Sequence, residues 1–155
     1  MSSKKLLVAY HSRSGSTSTL CDNVAAGAQS IESSSVELQV LEVSKVTSAQ
    51  VIDSSAIILG TPINFGYMSG LMKDFLERIF YECIDHTKGK PYGLFVKGDT
   101  DIDAGLLSLH KIIGGLEWKE VFAPVKVIGP ISIESSQQCF ELGATICAGL
   151  DYDLY

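Results

Sequence analysis

The residues best suited to chemistry fall in one short loop, His11-Ser12-Arg13-Ser14-Gly15-Ser16-Thr17. It joins an apolar run, Leu6-Leu7-Val8-Ala9-Tyr10, to a segment with Leu20, Val24, Ala28 and Ile31 at helical spacing. Backbone N–H groups at a helix start lack intrahelical partners and carry a partial positive charge. The hydroxyls of Ser12, Ser14, Ser16 and Thr17 add neutral donors, and Gly15 lets the backbone curl close to a ligand. Such a loop can cradle a phosphate without a cationic side chain. The same residues also suit an ordinary serine-rich turn with Ser16 as N-cap. The loop alone leaves both readings open.

Competing phosphate chemistries are excluded more firmly. A Walker loop needs G-x-x-x-x-G-K, and no lysine occurs between Lys5 and Lys45. A dinucleotide fingerprint needs three glycines where this loop has one. A cysteine phosphatase would carry its nucleophile at the strand end, but Cys21 lies several residues into the helix. A phosphoacceptor domain would present acidic residues after the first and third strands, where His11 and Thr61 stand. His11, at the end of the first strand, could assist the phosphate as a cation, but a packed neutral ring is the expectation, because helix-start amides already serve the anion. His86 and His110 have no partner at useful sequence spacing.

Bulk properties bound what surrounds the loop. A chain of 155 residues, 46% hydrophobic and 19% charged, suits one folded domain over residues 1–155. Twelve basic against eighteen acidic residues give a net charge of −6, with no basic block. That argues against nucleic acid or an anionic membrane as the main partner. Cys21, Cys83, Cys139 and Cys147 form no C-x-x-C pair and none sits near a histidine at zinc spacing, so buried reduced thiols and no metal are expected. Lys4 and Lys5 lead into too short an apolar run for a signal peptide, and no run reaches the roughly 18 residues of a membrane span. A cytoplasmic location is the expectation.

Apolar runs alternate with helical periodicities. Strands are expected at 6–10, 36–43, 56–60, 92–96 and 121–128, and helices at about 16–31, 69–81, 103–113 and 134–148. Thr47-Ser48-Ala49-Gln50 has capping-box form and opens a short helix. The clearest amphipathic stripe is Leu71, Met72, Phe75, Leu76, Ile79 and Phe80, opposite Lys73, Asp74, Glu77 and Arg78. Trp118 is expected to anchor the approach to the fifth strand. This alternation implies an α/β three-layer sandwich: a five-stranded parallel sheet in order 2-1-3-4-5 with helices on both faces. Ligands in such a sheet bind beyond the carboxyl ends of the strands near the switch in strand order. The segments at that place are His11–Thr17, Thr61–Ser69 and Lys97–Asp103.

Two of these segments carry a family resemblance. Ser12-Arg13-Ser14-Gly15-Ser16-Thr17 resembles the flavodoxin-family phosphate loop, T/S-x-T/S-G-x-T. The stretch from Gly60-Thr61-Pro62-Ile63-Asn64-Phe65-Gly66-Tyr67 to Arg78 resembles that family's second flavin loop and following helix. It is closest to the flavodoxin-like NAD(P)H:quinone reductases and NADPH-dependent FMN reductases. Order and spacing agree from Leu6 through Ala148, so the chain is expected to have the flavodoxin-like fold.

The resemblance implies FMN as cofactor. Ser12, Arg13, Ser14, Gly15, Ser16 and Thr17 would hold its phosphate. Thr61, Pro62, Ile63, Asn64, Phe65 and Gly66 would border the isoalloxazine ring, with Phe65 and Tyr67 as candidate walls. Lys97, Gly98, Asp99 and Thr100 would form the third flavin loop. That loop departs from the electron-carrier pattern: it has no aromatic residue and carries Asp99, Asp101 and Asp103. These aspartates suit a solvated loop with an N-cap, or they lower the flavin potential through their charge. The implied activity is oxidoreduction from NAD(P)H through FMN to a quinone, flavin or similar small acceptor. The alternative is a flavodoxin-type carrier exchanging single electrons with redox protein partners. A homodimer would fit the reductase relatives. No catalytic side chain is required, because the flavin performs the chemistry.

Overall fold

Continuous apolar runs mark strands that are covered on both sides, and their alternate side chains feed two separate cores. The computed structural model describes residues 3–32 and 35–155. Strand β1 (Lys4–Tyr10) leads to helix α1 (Ser16–Gln29), then β2 (Val36–Glu42), α2 (Ser48–Asp53) and β3 (Ala56–Asn64). A two-residue strand β4 (Tyr67–Met68) precedes α3 (Gly70–Cys83), followed by β5 (Pro91–Gly98) and α4 (Ile102–Leu116). Two short strands, β6 (Lys119–Glu120) and β7 (Val125–Ile128), lead to the final helix α5 (Ile133–Asp151).

Leu7, Ala9, Ile57 and Leu59 point to one core, shared with Met72, Phe75 and Ile79 of α3 and Leu109 and Ile113 of α4. Leu6, Val8, Ala56 and Ile58 point to the other, shared with Leu20 and Val24 of α1 and Leu142 and Ile146 of α5. The expected three layers are therefore present. Helices α1 and α5 meet backbone to backbone. A Cβ on Gly27 would lie 1.9 Å from Phe140 O, and one on Gly143 would lie 1.9 Å from Val24 O. Cys21 and Cys139 are buried in the same layer. All four cysteines are buried, and none is in a disulfide.

The sheet differs from the expected five strands. Among the described residues it has seven strands, ordered β2-β1-β3-β5-β6 along its main path, with β4 paired to β3 and β7 paired to β5. The sequence-based order 2-1-3-4-5 therefore holds only as a pattern of columns. Its fifth column is broken into β6 and β7, both parallel to β5 at opposite ends. Pro124 lies in the gap, and a proline has no N–H to give to a ladder. The third strand runs past its expected end at Gly60. It stays paired with β5 as far as Pro62 and then turns into an antiparallel hairpin with β4.

Trp118 is buried where it enters β6, and its Nε1 donates to Thr87 Oγ1 at 2.8 Å. The Thr47–Gln50 capping box forms as expected. His110 is not solitary: its Nε2 lies 3.0 Å from Glu120 Oε1, a contact between α4 and β6 that sequence spacing could not show. No helix among the described residues is long and apolar enough to cross a membrane.

Candidate functional site

The carboxyl ends of β1, β3 and β5 bring three segments together. Strand β1 stops at Tyr10, and His11 N–H donates back to Gly60 O at 3.0 Å. The loop then folds on itself, with Gly15 N–H donating to Ser12 Oγ at 3.1 Å. Gly15 is the N-cap of α1 at φ 100°, in the left-handed region that glycine tolerates. No side chain caps this helix, and its first turn holds no acidic residue. The first-turn amides therefore face outward as donors beside a partial positive charge. The N-cap is Gly15 and not Ser16, so neither Ser14 nor Ser16 is used as a side-chain cap.

The second segment is the β3–β4 hairpin. Ile63 pairs with Met68 and Asn64 with Tyr67, leaving Phe65 and Gly66 as the turn. Both have positive φ, 57° and 66°, the geometry of a tight hairpin turn. A phenylalanine in the left-handed region costs about 1–2 kcal/mol. Its side chain is fully exposed, so packing does not offset that cost. Gly66 lies against α4: a Cβ there would come within 3.3 Å of Asp101 Cβ. Ser108 Oγ on α4 accepts the Met68 N–H at 3.3 Å, which fixes the hairpin's base.

The third segment leaves β5 at Lys97 and Gly98. A Cβ on Gly98 would stand 2.6 Å from Ile63 O, so the missing side chain lets the second and third segments touch.

Between the segments lies a cleft of about 330 Å³. One wall is Arg13, Ser14, Ser16 and Thr17 from the first loop. Pro62 and Asn64 supply the second wall, and Lys97, Gly98 and Asp99 the third. A neighbouring cleft of about 400 Å³ shares Arg13, Pro62 and Asn64 and adds Phe65. The arrangement offers an anion cradle at one end and two facing backbone segments suited to a flat polar-edged ring.

Most sequence-predicted residues meet in these two clefts, but several line neither. Ser12 and Gly15 shape the first loop from behind. Thr61 is fully buried, and its Oγ1 accepts the Ser69 N–H at 3.1 Å, bracing the start of α3. Ile63 is core. Gly66 backs onto α4, and Thr100 faces a separate hollow with Asp101, Asp103 and Lys126. Asp103 and Lys126 pair there at 3.2 Å.

Four cleft residues were not among the predicted set: His11, Met68, Ser69 and Gly70. His11 Nδ1 is buried and has no hydrogen-bond partner among the described residues. An unpaired buried ring nitrogen costs about 1–3 kcal/mol. Its place directly after an apolar strand was the available signal. No group of three or more metal-ligating side chains occurs among the described residues.

A family model described as NADPH-dependent FMN reductase matches residues 6–129. A flavodoxin of Aquifex aeolicus is 33% identical over 86 residues, which is 56% of this chain and 45% of the length of that relative. Among solved structures, a flavodoxin from the domain Archaea has a TM-score of 0.80 at 20% identity, covering 94% of this chain and 98% of that one. A flavodoxin, WrbA-like protein from Agrobacterium tumefaciens has a TM-score of 0.77 at 20% identity, covering 96% and 98%. These two structural likenesses establish the fold.

Proposed function

The chain belongs to the NADPH-dependent FMN reductase family, in the flavodoxin-like superfamily, and from that premise we propose that it is an FMN-dependent oxidoreductase. It takes reducing equivalents from NAD(P)H and delivers them to a quinone, a flavin or a similar small acceptor. FMN supplies the hydride and electron chemistry when bound.

One observation carries the cofactor reading. Helix α1 starts uncapped, at a left-handed glycine with no atom within 4 Å of its absent Cβ, and opens on the cleft shared by three segments. A phosphate is the ligand such a start accepts. In this reading the α1 amides and the hydroxyls of Ser14, Ser16 and Thr17 bind the phosphate. Ser12 and Gly15 hold the loop in shape. Pro62, Asn64 and Phe65 border one side of the ring, and Lys97, Gly98 and Asp99 the other. Thr61, Ile63 and Gly66 position the hairpin without touching the ligand.

The enzyme reading is favoured by the third segment. It brings no aromatic side chain to the cleft, so it leaves room on that side for a small reactant to meet the ring. The carrier reading draws on the 33% identity to the Aquifex flavodoxin. A single experiment separates them. The purified protein is loaded with FMN and mixed anaerobically with NADPH or NADH while flavin absorbance is followed. Bleaching within seconds supports the reductase. Stable yellow colour after minutes favours the carrier, and failure to bind FMN defeats both.

A further inference from the structure

The hairpin that borders the cleft cannot hold its own place. The central sheet carries β3 as far as Pro62, which pairs with Lys97 of β5. Beyond it, two residue pairs, Ile63 with Met68 and Asn64 with Tyr67, close on a turn of two left-handed residues. A hairpin this short is not stable alone in water. Asn64, Phe65 and Tyr67 are exposed, so its support comes from the side of the buried Ile63 and Met68.

That support is one stripe of α4. Asp101, Ala104, Gly105 and Ser108 recur at helical spacing and share a face. A Cβ on Gly66 would come within 3.3 Å of Asp101 Cβ and 3.4 Å of Ala104 Cβ. Ser108 Oγ accepts the Met68 N–H at 3.3 Å and donates to Gly105 O at 2.6 Å. Gly105 meets Ile63 most tightly: a Cβ there would lie 2.5 Å from Ile63 Cγ2, 2.6 Å from Cδ1 and 2.8 Å from Cγ1. Ile63 cannot easily swing aside, because it is buried and branched at Cβ. A glycine inside a helix is unfavourable relative to alanine, and the close approach of Ile63 is what the missing side chain permits.

We propose that Gly105 and Ser108 are positioning residues for the flavin ring, acting through Ile63 and Met68 to set where the hairpin stands relative to the Lys97–Asp99 wall. The inference rests on the FMN reading above. Neither residue lines either cleft. Ile63 transmits the effect, because its neighbours on both sides, Pro62 and Asn64, line the cleft. Gly98 fixes the opposite wall against the same residue, since a Cβ there would stand 2.6 Å from Ile63 O. The phosphate cradle is built on α1, a different element, so the ring end of the site is set separately from the phosphate end.

Riboflavin has the ring of FMN without its phosphate, so the two ligands separate the two ends of the site. The full chain is titrated with each while flavin fluorescence is followed. Gly105→Ala forces Ile63 off α4 while improving helix propensity. Both affinities should fall about tenfold, the size of an overpacking cost, and by the same factor within about twofold. The midpoint potential of bound FMN should move too, because the hairpin's peptide groups shift against the ring. Adding Ile63→Ala removes all three crowded atoms. In that double variant both affinities should recover to within about threefold of the parent, and the potential should return towards it. Ser108→Ala removes the acceptor of the Met68 N–H and should weaken both ligands by a smaller, equal factor.

A folded Gly105→Ala protein with unchanged affinities and potential overturns the positioning role. So does a loss confined to FMN, which would put the effect at the phosphate. A double variant that recovers neither ligand overturns the route through Ile63. Where Gly105→Ala does not fold, Ser108→Ala decides by the same comparison of the two ligands. A parent protein that takes up no FMN overturns the functional reading on which the inference rests.

Discussion

The five α-helices among the described residues begin in two ways. Helices α2, α3 and α5 each have a side-chain cap: Thr47 accepts from Gln50, Ser69 from Met72 and Ser132 from Ser135. Helices α1 and α4 start at a left-handed residue, Gly15 or Asp101, with no side-chain cap. The uncapped starts both follow strands that feed the candidate site, β1 and β5. They differ in charge. The first turn of α1 has no acidic residue, whereas α4 carries Asp103 in its first turn after Asp99 and Asp101. Carboxylates there satisfy the positive end of α4 from within the chain. Of these two uncapped starts, only α1 has no carboxylate of its own beside its first-turn amides. Capping hydroxyls serve stability; their absence at α1, over a body pinned to α5 through Gly27 and Gly143, is the feature on which the proposed phosphate site rests.

The most direct way to break that contrast is to give α1 the charge that α4 has. Ser14→Asp puts a carboxylate in the cradle. FMN affinity should fall by about 100-fold or more, since a desolvated anion would face another anion. The helix itself gains a favourable interaction of about 0.3–1 kcal/mol, so the melting temperature of the flavin-free protein should hold or rise. Gly15→Val should also abolish FMN binding, but with a loss of stability, because φ 100° strains any side chain. Calorimetric titration with FMN reads both. Ser14→Asp protein that still holds flavin tightly would move the phosphate elsewhere.

The packing that excuses α1 from a cap can be weakened by alkali. Burial pushes the Cys21 and Cys139 thiols up from an ordinary 9.0 to about 12, and Tyr92 from 10.0 to about 12. For each group the folded value lies above the unfolded one. The stabilising contribution is therefore complete below pH 9 for the thiols and is lost as pH climbs from 9 towards 12. Each thiol should cost about 1 kcal/mol by pH 10. Lys90 works the other way: burial lowers its amine below 10.5, so its share of stability rises with pH up to that value. Urea midpoints at pH 8, 9 and 10 should fall, and the fall should be shallower in a Cys21→Ala, Cys139→Ala double variant. An unchanged slope in that variant would show that the α1–α5 interface does not set alkaline stability.

Smaller effects test the capped helices. Ser132→Ala should cost about 1 kcal/mol and leave FMN affinity unchanged, because its capping box lies away from both clefts. Ser69→Ala should cost somewhat more, since Ser69 Oγ also meets Thr61 Oγ1 at 3.2 Å in a buried place. Thermal melts of the two variants, without and with FMN, check the difference. A shift in FMN affinity with Ser132→Ala would end the division between capping and binding starts.

Much of this was legible in the chain. The αβ alternation and the stripe of α3 place most elements within a few residues, because those patterns are local and are reinforced by two cores. The hairpin was not legible, since Phe65-Gly66 lacks the asparagine or aspartate that usually marks such a turn. Pro124 was visible, but its effect depends on where β5 offers partners. Thr61 and Ile63 share a motif with cleft-lining neighbours, Pro62 and Asn64, and strand alternation turns them inward. His11 and Gly70 lie 59 residues apart and meet only once β1 and β3 pair.

The finest expected effect concerns the acidic start of α4. Asp99 lines the proposed FMN cleft, while Asp101 and Asp103 face the hollow beside it, where Lys126 already pairs with Asp103. A carboxylate near the ring disfavours added electrons, so removing one should raise the flavin potential. Solvent screens these exposed groups, which limits the change to on the order of 10–20 mV per charge. The sizes should be ordered by position. Asp99→Asn should shift the potential most, Asp101→Asn less, and Asp103→Asn least because Lys126 offsets its charge. Anaerobic redox titration at low and high salt checks both the order and the screening. Equal shifts from all three, or none from Asp99, would mean that the α4 start acts only as its helix's own cap, leaving α1 as the single electrostatic partner of the flavin.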